Sequence, residues 1–338
     1  MPRLLCTCFL TLLFTTPGSA AASRAYDFFI CANVNRDYVI GSEIVTVNGL
    51  FRLGDEGEWH HFGVNDTTIS ALAIDPRNRD VLYTTTLNGL WHSRDGGRNW
   101  RIANGWDMTE GRDVAVDPNA PDTIYLALPD GIAVSTDRAQ TLERRENGLP
   151  DRGKYTQALE IDRTTAGRVF AGTASGIYLT EDHGGFWQRV LPTETTVNDI
   201  QQSPHDPATW LAVTDTDGAW ISRDRGLRWS QIAALPSEEA LYNVAFDPTD
   251  PDRLAVASWT YGTWTSEDGG ENWGERNAGL PLPHRVMRVG VNPNTGRLYA
   301  SVYKKTLYFS DNFGRTWSPE QLEGSLVTHF LTVPRNDR

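Results

Sequence analysis

One short turn recurs along the 338-residue chain at intervals of 40 to 45 residues, and it constrains the fold more than any other feature. The clearest copies, at 93–100 and 266–273, have the pattern Ser/Thr-x-Asp-x-Gly-x-x-Trp. Its third position is occupied in turn by Asp55, Asp95, Asp137, Asp182, Asp224, Asp268 and Asn312. A repeat of this length is one supersecondary unit, which buries its apolar faces only by stacking on its neighbours. Seven units therefore predict an array that closes into one ring.

The second unit indicates how each repeat folds. The pair Asp75-Pro76 ends a strand, because proline has no N–H to donate, and Asn88-Gly89 tolerates the positive φ of a tight hairpin. With the repeated turn, these signals separate four predicted strands, at 69–74, 81–86, 90–93 and 100–102. Four antiparallel strands in about 43 residues have the size of a propeller blade. We predict an all-β fold, a seven-bladed β-propeller of four-stranded antiparallel blades.

The two ends of the chain are expected to close the ring. Segment 325–334 has the sequence of an inner strand but follows the seventh unit, so we expect it to complete the first blade. Whether it or 28–32 is the innermost strand of that blade stays open. The predicted inner strands 114–116 and 244–246 are continuously apolar, which is typical of strands buried on both faces.

The N-terminus has the pattern of a secretory signal. Arg3 precedes an apolar run at 4–14, and small residues follow it. The run is too short to span a bilayer, so we predict a signal peptide over 1–22, cleaved near Ala20 to Ala25, and a single propeller over 27–338. The protein is then exported, to the periplasm or the extracellular space. Cys6 and Cys8 leave with the signal, and Cys31 is expected to be a small buried hydrophobe.

The charge of the chain limits its partners. Its formal net charge of −12 argues against a nucleic-acid surface or an anionic membrane surface. No Cys/His spacing indicates zinc, and no glycine-rich loop other than the repeated turns is available for phosphate. We therefore expect a monomer without a cofactor.

Local chemistry accounts for every position of the repeated turn. Its carboxylate accepts backbone N–H groups, its glycine takes the positive φ, and its tryptophan covers the hairpin. Calcium binding is the alternative, but each turn offers one carboxylate, whereas calcium takes roughly six to eight oxygen ligands. We interpret the seven turns as structural and assign no metal site.

The turn pattern resembles the Asp-box, or BNR, repeat over nearly the whole mature chain. Families with this repeat include sialidases, xyloglucanases, sortilin-type receptors and the photosystem II stability/assembly factors, and in them the boxes are peripheral and structural. Sialidases have six blades and a Phe-Arg-Ile-Pro-type motif, xyloglucanases pair two propellers, and sortilin-type receptors have ten blades. The seven units here are most similar to the assembly factors. That resemblance implies a non-enzymatic protein that binds subunits of an envelope or membrane complex.

The segments that interrupt the repeat are the candidates for binding, because binding residues concentrate on loops. Aromatic and basic side chains there are the ones that an interface favours. The predicted partner-binding residues are Trp106, Arg112, Arg152, Lys154, Tyr155, Tyr242, Trp259, Tyr261, Arg285, Arg288 and Tyr303. The alternative is that they only cover the mouth of the central channel.

Loop carboxylates offer a second function. Glycoside cleavage needs two carboxyl groups roughly 5–9.5 Å apart across a sugar-sized cleft. The candidates for such a pair are Asp107, Glu110, Asp113, Asp199, Glu238 and Glu239. We assign no catalytic residue, and the open alternative is a glycan-binding protein or a glycoside hydrolase.

Overall fold

The computed structural model describes residues 25–34 and 47–335, and within them every regular element is a β-strand. The strands form seven antiparallel four-stranded sheets, one for each sequence unit. The predicted all-β seven-bladed propeller is therefore confirmed. The predicted signal peptide, with Cys6 and Cys8, lies outside the described residues.

Both ends of the chain build blade 1. From the centre of the ring outward, its strands are β28 (Leu326–Pro334), β1 (Tyr26–Asn33), β2 (Gly49–Leu53) and β3 (Trp59–Asn65). In the pairing of β28 with β1, Phe29 lies opposite Leu331 and Ile30 opposite Phe330. The C-terminal segment thus completes the first blade, as expected. The structure also settles which strand is innermost, since β28 contacts the inner strands of blades 7 and 2.

The other six blades are each continuous in sequence, and each runs from the centre of the ring outward. Blade 2 comprises β4 (Leu72–Ile74), β5 (Leu82–Thr86), β6 (Gly89–Ser93) and β7 (Arg101–Ile102). Blade 3 comprises β8 (Asp113–Val116), β9 (Ile124–Leu128), β10 (Gly131–Ser135) and β11 (Glu143–Arg144). Blade 4 comprises β12 (Thr156–Ile161), β13 (Val169–Thr173), β14 (Gly176–Thr180) and β15 (Gln188–Pro192). Blade 5 comprises β16 (Val197–Gln202), β17 (Trp210–Thr214), β18 (Ala219–Ser222) and β19 (Ser230–Gln231). Blade 6 comprises β20 (Leu241–Phe246), β21 (Arg253–Ser258), β22 (Gly262–Glu267) and β23 (Gly274–Glu275). Blade 7 comprises β24 (Val286–Asn292), β25 (Arg297–Val302), β26 (Leu307–Ser310) and β27 (Ser318–Pro319).

The apolar core is divided among the seven interfaces between blades. Each of seven apolar clusters joins side chains of two neighbouring blades. Trp187, for example, is fully buried between blades 3 and 4, where its Nε1 donates to the carbonyl of Arg145 over 2.9 Å. A blade cannot bury both of its faces alone, so the ring must close for the core to form.

The inner strands are less buried than the sequence predicted. Ala115, Val116, Ala245 and Phe246 are only partly buried, because one side of an inner strand faces the central channel. Strands buried along their whole length are instead found in the middle of the blades, such as the second strands β9 and β13 and the third strands β10 and β14. The prediction was wrong here because an apolar run does not reveal which strand of a blade it forms.

Candidate functional site

The strand order gives the ring two different ends. Inner strands begin at one end, which also carries the turns between second and third strands; we call it the loop face. The repeated Asp-box turns join third and fourth strands, so they lie at the opposite end, the box face. Hydrogen bonds from Trp259 N to Ala240 O and from Arg285 N to Trp259 O connect segments of the loop face over 3.1 and 3.0 Å.

Four predicted partner-binding residues meet on the loop face of blades 6 and 7. The ring centroids of Tyr242 and Trp259 are 5.9 Å apart, and those of Trp259 and Tyr303 are 5.4 Å apart. The guanidinium of Arg285 lies over the Trp259 ring, 5.4 Å from its centroid. We call these four residues the aromatic shelf. Its three aromatic residues are partly exposed and Arg285 is exposed, as a binding surface requires.

Backbone contacts between blades position the aromatic shelf. Arg285, which precedes β24, donates its N–H to Trp259 and accepts one from Tyr303, both over 3.0 Å. Tyr242 sits at a bulge of β20, where the register with β21 shifts between Leu241 and Asn243. Because a bulge re-aims a side chain, Tyr242 packs against the Trp259 ring. Four residues from separate segments thus share one surface.

A second group of predicted residues lies on blades 3 and 4. The guanidinium of Arg112 lies 5.3 Å from the centroid of the Tyr155 ring, whose hydroxyl donates to the Gln157 side chain over 2.7 Å. Lys154 is engaged in an ion pair with Glu146, with Nζ 2.5 Å from Oε2. The charged groups of Arg112 and Lys154 are thus engaged with neighbouring side chains of the same face.

The other predicted partner-binding residues do not join either group. Trp106 is 98% exposed on the loop before β8, Tyr261 is 39% exposed in the turn after β21, and Arg152 is exposed on the loop before β12. Arg288 departs from the prediction, because it belongs to β24 and lines the central channel rather than a loop. Its Nε donates to Thr328 O over 2.9 Å, and its Nη1 donates to Tyr242 O over 2.6 Å.

Two of the candidate carboxylates also line the channel, where they join neighbouring blades. Asp113 accepts the N–H of Leu159 over 2.9 Å, and Asp199 accepts the N–H of Val244 over 3.0 Å. In each case the acceptor and the donor lie on inner strands of adjacent blades. Asn243 makes the same connection to Val289 N over 2.8 Å. These side chains therefore tie the inner strands together.

Enclosure in the channel shifts the pKa values of its ionisable groups. Burial raises the pKa of Asp113 to about 7 against the hydrogen bonds from Leu159 and Val114, and it raises the pKa of Glu160 to about 7. Burial also raises the pKa of Asp199 to about 6, although Arg288 opposes the shift. These three side chains line the channel and are partly exposed to its solvent, but protein surrounds them on the other sides.

The remaining candidate carboxylates stay on two separate loops. Glu110 lies 3.6 Å from the guanidinium of Arg112, and Asp107 shares its loop and accepts Arg144 Nη2 on its backbone carbonyl. Glu239 accepts the hydroxyl of Thr260 over 2.8 Å, and Glu238 is its exposed neighbour. Six candidate carboxylates are thus divided between these two loops and the channel.

The Asp-box turns have a recurring hydrogen-bond pattern. In the copy at 93–100, Ser93 donates to Asp95 over 2.8 Å and accepts Gly97 N over 2.9 Å, while Asp95 accepts Asn99 N over 2.8 Å. The side-chain amide and the N–H of Asn99 lower the pKa of Asp95 to about 2. Corresponding bonds surround Asp137, Asp182, Asp224, Asp268 and Asn312.

Asp55 differs from the other six positions. Its turn is closed by backbone bonds from Gly54 N to Glu58 O over 2.7 Å and from Gly57 N to Gly54 O over 3.2 Å. No serine or threonine stands two residues before it, and its carboxylate lies 3.5 Å from Nη2 of Arg335. This copy therefore connects a turn of blade 1 to the C-terminal strand.

Across 25–34 and 47–335, no group of three His, Cys, Asp or Glu side chains is arranged to hold a metal ion. Cys31 is a fully buried thiol in this part of the chain. The described residues also contain no helix of the length and apolarity that crossing a membrane requires.

Sequence reasoning missed the ring of polar side chains in the channel. Asp113, Asp199, Asn243 and Arg288 stand four residues before the Asp, Ser or Asn that ends each inner strand. That fixed offset was the available signal. The sequence alone assigns two of these residues to loops as carboxylates and one as an arginine, because it does not show where the inner strands begin.

Sequence comparisons reach only part of this chain. A model of the family described as Sortilin-Vps10 (sortilin, neurotensin receptor 3) matches residues 175–280. The oligoxyloglucan-reducing end-specific xyloglucanase of Emericella nidulans is 27% identical over 43% of this chain and 21% of that enzyme. The chain thus spans about a fifth of the length of this curated relative.

Solved structures share the propeller architecture. The GH74 enzyme of Niastella koreensis superposes with a TM-score of 0.65 at 19% identity, over 80% of this chain and 50% of that chain. The structure of YCF48 bound to D1 peptide superposes with a TM-score of 0.56 at 20% identity, over 75% of this chain and 82% of that chain. At such low identity the likeness shows the fold alone.

Proposed function

We propose that this seven-bladed BNR-type propeller is an exported, non-enzymatic scaffold that binds an extended segment of a partner protein on its loop face. By holding that segment it would assist the assembly or stability of an envelope complex. The proposal rests chiefly on the aromatic shelf, where three rings and a guanidinium from separate segments of blades 6 and 7 come together.

The chemistry of the aromatic shelf suits a peptide. Partly exposed tyrosine and tryptophan rings supply a large apolar contact with little side-chain entropy to lose, and a positioned arginine adds charged hydrogen bonds. The backbone bonds that fix Arg285 between Trp259 and Tyr303 organise the surface before a partner arrives. The propeller YCF48, which has a similar fold and was solved bound to D1 peptide, supports a peptide ligand.

The positions of the carboxylates support a non-enzymatic role. A general acid and base for glycoside cleavage must both reach the substrate across an open cleft. Asp113 and Asp199 instead accept backbone N–H groups of the next blade within the channel. Glu239 lies beside the aromatic shelf, but its carboxylate is bonded to Thr260.

Glycan binding is the second candidate, and two observations favour it. A tryptophan ring flanked by tyrosines also stacks on sugar rings, and the partial sequence match is to a xyloglucanase. Binding of xyloglucan oligosaccharides to the shelf would support this candidate.

The two candidates are separated by binding assays on the purified mature protein. Arrays of overlapping peptides from envelope proteins of the source organism, and a glycan array, are probed with the native protein and with Trp259→Ala and Arg285→Ala. The matched control is Phe186→Ala, a ring that is 58% exposed on the box face. We expect particular peptides to bind, with both shelf variants at least about tenfold weaker and the control unchanged. Glycan binding without peptide binding, or peptide binding that the shelf variants retain, would refute the proposal.

Export is tested separately. Residues 1–25 are fused to alkaline phosphatase lacking its own signal, and activity is measured in intact bacterial cells. The matched control deletes the apolar run at 4–14 from the same fusion. We expect phosphatase activity from the fusion that keeps the apolar run and little from the fusion that lacks it. Equal phosphatase activity of the two fusions would contradict export.

A further inference from the structure

The channel is a cavity of about 640 Å³ with charged groups of both signs on its wall. Asp113, Glu160 and Asp199 contribute carboxylates from the inner strands of blades 3, 4 and 5, and Arg288 contributes a guanidinium from blade 7. The volume falls in the range of small-molecule sites in proteins. Enclosed charges are costly unless they are paired. Among the described residues only Glu160 of these four has an ion-pair partner within 4.0 Å, Arg163 at 3.8 Å, so the arrangement of the other three calls for an explanation.

Arg288 is held near the carboxylates without pairing with them. Within the described part of the chain, no ion pair of 4.0 Å or less joins Arg288 to Asp113, Glu160 or Asp199. All four residues nevertheless line the same channel, and hydrogen bonds to Thr328 and Tyr242 hold the guanidinium of Arg288 at the channel wall. Nε and Nη1 donate to the carbonyls of Thr328 and Tyr242, so these bonds leave the N–H groups of Nη2 for another acceptor.

The carboxylates likewise retain lone pairs that can accept further hydrogen bonds. Asp199 accepts Val244 N on Oδ2 and the Gln201 amide on Oδ1. Glu160 accepts Gln202 N on Oε1 over 3.2 Å, and the same oxygen lies 3.8 Å from Nη1 of Arg163, so Oε2 is the oxygen left for a ligand. A carboxylate has more lone-pair sites than these bonds use. The wall also contains the ring of His329, whose buried Nε2 has no hydrogen-bond partner.

We propose that the channel binds a small zwitterion of the amino-acid type. The ammonium group lies among Asp113, Glu160 and Asp199, and the carboxylate accepts hydrogen bonds from Nη2 of Arg288. An anion alone would face Asp113 and Asp199, which have no ion-pair partner among the described residues, as well as Glu160, which is paired with Arg163. A cation alone would face the guanidinium of Arg288. A molecule that carries both charges satisfies both sides of the cavity. This site is separate from the aromatic shelf and does not depend on the proposed peptide binding.

Calorimetric titration of the full mature protein at pH 7.5 tests the proposal. The probes are glycine, L-glutamine and L-lysine, with sodium acetate and methylammonium chloride as probes that carry one charge each. We expect at least one amino acid to bind with a stoichiometry of about one, and the single-charge probes to bind at least about tenfold more weakly. Absence of heat from every amino acid, or binding of acetate or methylammonium as tight as that of the amino acids, would overturn it.

Two variants locate the binding site. Glu160→Gln removes a channel charge but keeps an oxygen for Gln202 N, and Glu143→Gln is the matched control on the outer strand β11, where the side chain is 73% exposed. We expect Glu160→Gln to weaken binding about tenfold and the control to leave it unchanged. Equal binding by all three proteins would overturn the proposal. If Glu160→Gln does not fold, the comparison of single-charge and zwitterionic probes on the native protein still decides.

Discussion

Replacing Asp199 by asparagine should stabilise the propeller at neutral and alkaline pH. Asp199 is a carboxylate enclosed in the channel, and it accepts the N–H of Val244 in the next blade. In the next inner strand Asn243 has the corresponding role, accepting Val289 N over 2.8 Å and donating its amide to Val289 O over 2.9 Å. The chain thus already contains the arrangement that Asp199→Asn would create, without the enclosed charge.

The size of the effect follows from the raised pKa of Asp199. A rise from an ordinary value of 3.8 to about 6 corresponds to about 3 kcal/mol of lost stability once the carboxylate is fully ionised. The pKa of about 6 already includes the attraction of Arg288. An asparagine does not reproduce every hydrogen bond of a carboxylate, so we expect a net gain of about 1–2 kcal/mol at pH 8. Because the folded pKa is raised, the cost is absent below the unfolded pKa and grows as the pH rises toward 6. The advantage of the variant should be roughly half as large at pH 5.

Other groups titrate in the same range, so the comparison must be between proteins at one pH. Burial raises the pKa values of Asp113 and Glu160 to about 7, and their contribution to stability also falls as the pH rises. Burial lowers the pKa of His329 to about 4, so its contribution falls as the pH decreases from its unfolded value of about 6.5. Subtracting wild type from variant at each pH removes most of these contributions.

The assay is urea unfolding followed by tryptophan fluorescence at pH 5 and pH 8. Asn243→Asp is the reciprocal variant and should lose stability at pH 8, and Asp252→Asn, an exposed residue, is the matched control. A difference between Asp199→Asn and wild type that is the same at both pH values would refute the electrostatic argument. A wild type that is the more stable protein at pH 8 would refute it as well.

Three further predictions concern packing and the Asp-box turns, and each is checked by the same unfolding assay. Ser93→Ala should cost about 1–3 kcal/mol, because the buried N–H of Gly97 loses its acceptor; an unchanged midpoint would show that the turn holds without it. Trp187→Ala should lower the free energy of unfolding by about 3–5 kcal/mol, because Trp187 is fully buried. Trp106→Ala, at a residue that is 98% exposed, should change it by less than about 0.5 kcal/mol. Equal effects of the two substitutions would contradict the assigned core. Asn312→Asp should change the free energy of unfolding by less than about 0.5 kcal/mol. The new carboxylate can accept a hydrogen bond from the Thr316 hydroxyl, as Asp137 accepts one from the Thr141 hydroxyl over 2.7 Å. A large loss of stability would show that the amide hydrogen of Asn312 is required.

The sequence by itself determined how each blade folds and how many blades the ring contains. The serine, the acidic residue and the glycine of a turn such as 93–97 bond within a few residues of one another, so the pattern can be read locally. The pairs that end strands and form hairpins are local in the same sense. Seven copies then require closure, because each blade needs a neighbour on both faces.

Only the tertiary structure decided what surrounds the functional surfaces. Tyr242, Trp259, Arg285 and Tyr303 are spread over four segments, and they meet because blades 6 and 7 are hydrogen-bonded at the loop face. Arg288 is only three residues from Arg285, yet it lies in the channel because β24 begins between them. A residue's place in a ring depends on where its strand begins and which blade lies beside it. Those relations arise between units, and the repeat within each unit does not encode them.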